Sequence, residues 1–349
     1  MNRAGDDAER SDEEERRMNL AGDDAERSDE EERRMNLGAP RARLVIVDGV
    51  PMSALVAEPD QPEDPKAVIV AIHGGGTTAI YFDCPGHPWS SLLRTGAARG
   101  FTVVALDRPG YGSSAPYPEA MIQPEQRVNL AYGGVDRILG ERSRGAGLFV
   151  MGHSGGCELA MRMAADERGA DLLGVELAGT GRHYHPAARE MLKTATRERR
   201  PSGLRELLWH PERLYPPEVL TGVTVSPSAP AYEDQMVSDW ARETFPALAP
   251  AVRVPVHFSI AEYERVWQTD TSALTEITAL FSGSPRFVVH RQPEAGHNIS
   301  LGRTAADYHA TVFSFAEECA SSVTLQSPSD PNVTVASRSA DNQADLEAD

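Results

Sequence analysis

Leu148-Phe149-Val150-Met151-Gly152-His153-Ser154-Gly155-Gly156-Cys157 sets the reading of this chain. A short apolar run stops at a serine bracketed by glycines. A helical pattern follows at once, with Leu159, Met161, Met163 and Ala164 among Glu158, Arg162 and Glu167. Strand, sharp turn and helix are the context of a nucleophile elbow, where a serine sits on a strained turn and its neighbours two positions away must be almost free of side chain. Gly152 and Gly156 meet that demand: one lets strand and helix pack closely, the other lets the helix start without a clash. The pentapeptide alone is a weak signal, so the rest of the chain has to decide its meaning.

On either side, apolar runs alternate with helical patterns. Leu44–Val47 and Met52–Ala57 flank Asp48-Gly49, a hairpin turn signal. Ala67–Ile72 and Phe101–Leu106 are continuous apolar runs, the mark of strands buried on both faces. Helices are expected over residues 89–98 and 123–140. After the elbow come a strand at Leu172–Leu177, a strand at Val254–Ile260, a helix at Ser272–Phe281, a strand at Arg286–Arg291 and a last helix at Thr304–Glu318. Strands alternating with helices across short turns specify an α/β fold, a mostly parallel sheet covered on both faces.

The four strand ends that matter each carry a polar motif. His73-Gly74-Gly75-Gly76 follows one buried run, and Asp107-Arg108-Pro109-Gly110-Tyr111-Gly112-Ser113 follows the next. Gly152–Gly156 is the elbow, and Gly296-His297 follows the last strand. The acids Glu262, Glu264 and Asp270 come after the strand ending at Ile260. The order serine, acid, histidine supplies nucleophile, orienting carboxylate and base. A serine hydroxyl attacks only when a base takes its proton, and a carboxylate across the ring fixes the base's tautomer. His297, in a turn at the sheet's C-terminal edge, suits the base better than His290, which lies within a strand and is expected to pack.

With these motifs in this order, the chain from about residue 40 to 319 resembles the α/β-hydrolase superfamily of serine esterases, lipases and thioesterases. The resemblance implies an α/β-hydrolase fold with catalytic residues Ser154, His297 and Glu264. It implies an oxyanion hole built from the Gly155 N–H with a second donor from Gly75 or Gly76. Many members carry the acid after a Gly-x-x-Asp/Glu turn. Here Ala261 takes the glycine's place, and aligning it there selects Glu264, with Glu262, Asp270 and Glu176 as alternatives. The implied reaction is hydrolysis of a carboxylic ester or thioester through an acyl-enzyme. A thioesterase, acyltransferase or C–C hydrolase would use the same groups, and a non-catalytic ligand-binding relative would keep them. Aspartate-nucleophile relatives are disfavoured by Ser154 itself.

Residues 181–250 break the strand–helix rhythm. Rich in proline and aromatics, they are too long for a structureless loop and read as an inserted cap between the core segments 41–180 and 251–319. Trp209, Tyr215 and Trp240 are candidates to line a substrate pocket beneath it, packing within the cap being the alternative. His183 and His185 could bind a metal but have no further ligand nearby in sequence. No metal or organic cofactor is expected, and the partner is a small acyl substrate.

The ends differ from the middle. Residues 4–20, AGDDAERSDEEERRMNL, recur unchanged at 21–37, a tandem duplication with no apolar stripe. Residues 1–40 and 320–349 are expected to be disordered tails. Net charge is −18, with 14 acids and 7 arginines in residues 1–37 alone. Such a balance offers no footprint for nucleic acid or an anionic membrane. No apolar run reaches the roughly 18 residues of a membrane span, and no leader pattern is seen. Cys84, Cys157 and Cys319 are too few and too scattered for a disulfide framework. A cytoplasmic protein is expected, and arginine and alanine in excess of lysine suggest a GC-rich bacterial genome. Asn298 and Asn332 match glycosylation acceptors that mean nothing without a leader.

Overall fold

The computed structural model describes residues 39–84, 86–192, 203–221 and 229–326. The expected tails thus lie largely outside the described residues, as do Asn332 and two stretches of the insertion. The strands are β1 (Arg41–Val47), β2 (Val50–Ala57), β3 (Val68–Ile72), β4 (Thr102–Leu106), β5 (Leu148–His153), β6 (Leu172–Ala178), β7 (Val256–Ala261) and β8 (Phe287–Gln292). They form one eight-stranded sheet in the order β1-β2-β4-β3-β5-β6-β7-β8. Strands β1 and β2 join antiparallel, β2 meets β4 antiparallel, and every other pair is parallel. The β1–β2 hairpin turns on Asp48 (φ 50°) and Gly49 (φ 82°), the two left-handed residues its tight turn needs.

The continuous apolar runs are central strands with cores on both faces. Along β3, Val68, Val70 and Ile72 enter one core while Ile69 and Ala71 enter the other. Along β5, Val150 and Phe149 divide in the same way. This period of two is why neither strand shows a polar face in the sequence. Among the helices are α1 (Leu92–Ala98), α2 (Pro124–Leu139) and α3 (Gly156–Ala165). Helices α2 and α3 cover the first core; α1 joins the second.

The segment between β6 and β7 holds α4 (Pro186–Leu192), α5 (Leu204–Leu208), α6 (Pro217–Leu220), α7 (Tyr232–Asp239) and α8 (Phe245–Leu248), with a π turn at Trp240–Thr244. It docks on the loops at the sheet's C-terminal edge. Tyr232 Oη donates to Pro109 O (2.8 Å), and Trp240 Nε1 donates to Thr180 Oγ1 (2.9 Å). Helices α9 (Thr271–Leu280) and α10 (Ala305–Gln326) complete the chain. Helix α10 overruns the expected end at Glu318, because Ala316, Cys319 and Ala320 continue its buried stripe into the second core. None of the described helices is long and apolar enough to cross a membrane.

Strand β3 pairs with β4 on one side and β5 on the other, so chain direction across the sheet reverses between β3 and β5. The loops after these two strands diverge there and leave a crevice. His73–Gly76 and Ser154 both lie at this point.

One buried residue carries a stability consequence. His309 on α10 is fully buried, and neither ring nitrogen has a hydrogen-bond partner. Burial pulls its pKa down to about 3. Between the ordinary value near 6.5 and that depressed value, the unfolded chain binds a proton that the folded chain refuses. Stability therefore falls as pH drops through this window, by up to about 1.4 kcal/mol per pH unit for one such group. We expect His309→Leu to keep or raise Tm at pH 8, since it removes two unsatisfied nitrogens, and to flatten the loss of Tm between pH 6.5 and 4. Thermal melts across that range check this; an unchanged acid slope would contradict it.

Candidate active site

Among the described residues, Ser154 is one of four non-glycine residues with positive φ, at 51°. The strain is imposed by packing on both sides. A Cβ at Gly156 would stand 2.3 Å from Ile72 O and 2.5 Å from His73 O; one at Gly152 would stand 2.8 Å from Ala160 Cβ. Helix α3 thus runs back against β3 and β5 at backbone contact, and the connecting residue has to turn through the left-handed region. Ser154 N donates to Ala178 O (2.8 Å) and Cys157 N to Ser154 O (3.0 Å), which pins the turn. Cys157 sits behind it as a small buried residue, its Sγ 3.2 Å from Gly152 O.

His297 Nε2 lies 3.1 Å from Ser154 Oγ. On the other side of the ring, Nδ1 lies 2.9 Å from Glu264 Oε2 and 3.0 Å from Oε1. A carboxylate only accepts, so Nδ1 carries the proton and Nε2 offers its lone pair to the serine. Val266 N–H also donates to Glu264 Oε1 (2.7 Å). Burial raises the Glu264 pKa, but the charge and hydrogen bond of His297 and the Val266 amide outweigh it and hold the carboxyl below its ordinary value. The acid therefore stays ionised while out of water.

The other sequence candidates have different partners. Glu262 accepts from Glu294 N (2.8 Å), Asp270 caps α9 through Ala273 N (3.1 Å), and Glu176 is enclosed by Tyr308 and His257. His290 bonds Gln292 (3.0 Å) within β8. His183 pairs with Glu276 (2.6 Å). His153 packs flat on Tyr81 and donates from Nε2 to the His297 carbonyl (2.9 Å). Burial, then the charge of His297, lowers the His153 pKa to about 3, so it stays neutral beside that ring.

The two glycines proposed as the second oxyanion donor differ. Gly76 N–H is already given to Tyr111 Oη (3.2 Å). Gly75 N lies 3.4 Å from where a Cβ on Gly155 would stand, so the Gly75 and Gly155 amides are neighbours beside Ser154. The loop is held by His73, whose Nδ1 donates to Gly74 O (2.8 Å) while its Nε2 accepts from Arg108 N (3.0 Å). Burial keeps His73 neutral, with a pKa well below ordinary. Arg108 is also buried, its guanidinium reaching Gly74 O, Gly155 O and Glu233. Burial works against its charge; Glu233, Tyr232 and Tyr111 together outweigh this and raise its pKa.

A cavity of about 150 Å³ opens at Ser154 and His297. Its walls are mainly apolar: Leu204, Leu207, Leu208, Met236, Val237, Val266 and the rings of Tyr184, Trp240 and Trp267. Trp240 is thus where it was expected, but Trp209 and Tyr215 are not among the lining residues. Their rings meet edge to face at 5.0 Å, and Tyr215 is buried behind the His297 turn, close against Gly296. Their large apolar area is spent on packing the insertion onto that turn. Tyr184 and Trp267 were missed: the residues lie at the insertion's entry and after β7, and their stacking at 4.3 Å is a tertiary pairing with no sequence spacing to betray it.

A profile of the alpha/beta hydrolase family matches residues 69–310. No curated protein matches the sequence. Among solved structures, a thermostable carboxyl esterase from Bacillus coagulans is similar, with 19% identity, 81% of this chain and 99% of that one covered, and a TM-score of 0.56. A proline iminopeptidase from Mycobacterium smegmatis shares 17% identity over 81% of this chain and 99% of its own, with a TM-score of 0.55. The thioesterase domain of the curacin biosynthetic pathway shares 17% over 79% and 99%, with a TM-score of 0.52. At these identities the likeness is one of fold.

The elbow packing makes a direct prediction. Gly156→Ala drives a Cβ into two backbone carbonyls and should cost about 1–3 kcal/mol. Gly134→Ala in α2 is the control: its nearest neighbour would be Leu106 Cδ1 at 3.5 Å, and alanine favours the helix. Denaturant unfolding of both variants checks this; equal stability would contradict the packing account.

Proposed function

The chain belongs to the alpha/beta hydrolase family, and from that premise we propose that it is a serine hydrolase acting on a carboxylic ester or thioester with an apolar acyl group. One observation carries the reading: the unbroken line from Ser154 Oγ through the His297 ring to Glu264, opening into an apolar cavity.

Substrate enters beneath residues 181–250, which act as a cap, and its acyl chain occupies the cavity bordered by Leu207, Met236 and Trp240. Ser154 Oγ attacks the acyl carbon while His297 Nε2 takes its proton. Glu264 holds the ring's tautomer and offsets the positive charge that forms. The oxyanion is met by the N–H groups of Gly75 and Gly155, donors already in place whose loss would cost about 10²–10³ in rate each. His297 then delivers its proton to the leaving alcohol or thiol. Water, activated by the same base, releases the acid and restores Ser154. No step calls for a metal or organic cofactor.

The left-handed Ser154, the Nδ1–H tautomer imposed by Glu264 and the neutral His153 beside the base all support this sequence of events. The test is incubation with a fluorophosphonate probe and with short- and long-chain nitrophenyl esters and acyl thioesters. We expect labelling and turnover, with Ser154→Ala abolishing the first and lowering the second by about 10⁴-fold or more. A wild-type protein that neither labels nor turns over any of these would overturn the reading in favour of ligand binding. Within the site, Glu264→Gln should lower kcat by about 10³–10⁴, while Glu262→Gln, whose carboxylate caps a backbone turn, should leave it near wild type; the reverse pattern would move the acid.

A further inference from the structure

We propose that Glu233, carried on the cap helix α7, is a positioning residue for the oxyanion hole: it acts through Arg108 and Tyr111, so that the hole is completed only when the cap is docked. This rests on the serine-hydrolase reading above.

The geometry is specific. Arg108 Nη2 donates to Gly74 O (3.0 Å). That carbonyl belongs to the same peptide unit as the Gly75 N–H. A guanidinium on the carbonyl fixes the plane of that unit and polarises it, making the N–H a stronger donor. Arg108 Nη1 reaches Gly155 O (3.3 Å), on the residue that supplies the other donor. Tyr111 Oη accepts from Gly76 N (3.2 Å), fixing the next peptide unit along. Both supports converge on one atom: Glu233 Oε1 accepts from Arg108 and from Tyr111 Oη, the latter at 2.9 Å. Its other oxygen, Oε2, would lie 3.4 Å from a Cβ on Gly75.

Arg108 is 1% exposed and Glu233 8%. A buried guanidinium needs its counter-charge, and Glu233 is the sole acid within ion-pair distance of it among the described residues. The cap is anchored beside this pair by Tyr232 Oη on Pro109 O (2.8 Å). Undocking α7 would take the carboxylate away, leave Arg108 uncompensated and release both peptide planes. Substrate binding under a docked cap and readiness of the oxyanion donors thereby become one event.

The experiment uses the full chain with a nitrophenyl ester, comparing wild type, Glu233→Gln and Glu233→Ala. A loosened rather than deleted oxyanion donor should lower kcat by about 10–100-fold with KM within about twofold. Sodium formate should restore part of the kcat of Glu233→Ala by placing a carboxylate between Arg108 and Tyr111, where sodium chloride at equal ionic strength does not. Amide exchange at residues 73–76 in the substrate-free protein should be faster in Glu233→Ala and slowed again by formate. An active wild type with unchanged kcat in Glu233→Gln would overturn the proposal. So would a loss matched by a fall in Tm, with a rise in KM and no response to formate, which marks a packing contact of the cap. A wild type that neither labels nor turns over defeats the hydrolase reading itself, whereas the exchange rates report on Glu233 independently of it.

Discussion

The structure depends on one close approach. Helix α3 lies so near β3 that Gly156 has no room for a Cβ against the carbonyls of Ile72 and His73. Because strand and helix are held at that distance, the residue joining them must take a left-handed conformation, and that residue is Ser154. A serine there exposes its hydroxyl at the end of the sheet, where the loops after β3 and β5 part. The cost of the strained residue, of the order of 1–3 kcal/mol, is met by cores on both faces of the sheet.

The electrostatics of the site follow from burial. Three buried histidines stand at or behind the site, and two of them, His73 and His153, are kept neutral and used for their hydrogen bonds. His73 locks the glycine loop; His153 holds the carbonyl of His297. The remaining ring, His297, meets a buried carboxylate that stays ionised because the ring and an amide both donate to it. His297 thus differs from the other two in its carboxylate partner, which is what the proposed proton transfer requires. Buried Arg108 pairs with Glu233 and turns the rest of its guanidinium to the backbone carbonyls of Gly74 and Gly155.

Much of this was legible in the sequence. Buried central strands announce themselves as unbroken apolar runs, and each of the expected strands lies within about three residues of its observed bounds. Glu264 is selected by aligning Ala261 with the glycine of the Gly-x-x-Asp/Glu turn that the family resemblance implies, and in the structure its carboxylate meets His297 Nδ1. What could not be read depends on contacts far apart in sequence. Glu233 sits in a proline-rich stretch with weak periodicity, and nothing local pairs it with Arg108, 125 positions earlier. The division of the aromatics, with Trp240 and Trp267 at the cavity and Trp209 and Tyr215 behind the His297 turn, is likewise set by how the insertion docks. The choice between Gly75 and Gly76 turned on a single hydrogen bond, from Gly76 N–H to Tyr111 Oη.

The central claim is that Ser154 is a nucleophile facing an oxyanion hole made by Gly75 and Gly155. A crystal structure of the protein after reaction with a fluorophosphonate tests it most directly. The account predicts a covalent adduct on Ser154 Oγ, with the phosphoryl oxygen about 2.7–3.1 Å from the Gly75 and Gly155 amide nitrogens. An adduct on another residue, or a phosphoryl oxygen turned away from these two amides, would contradict it.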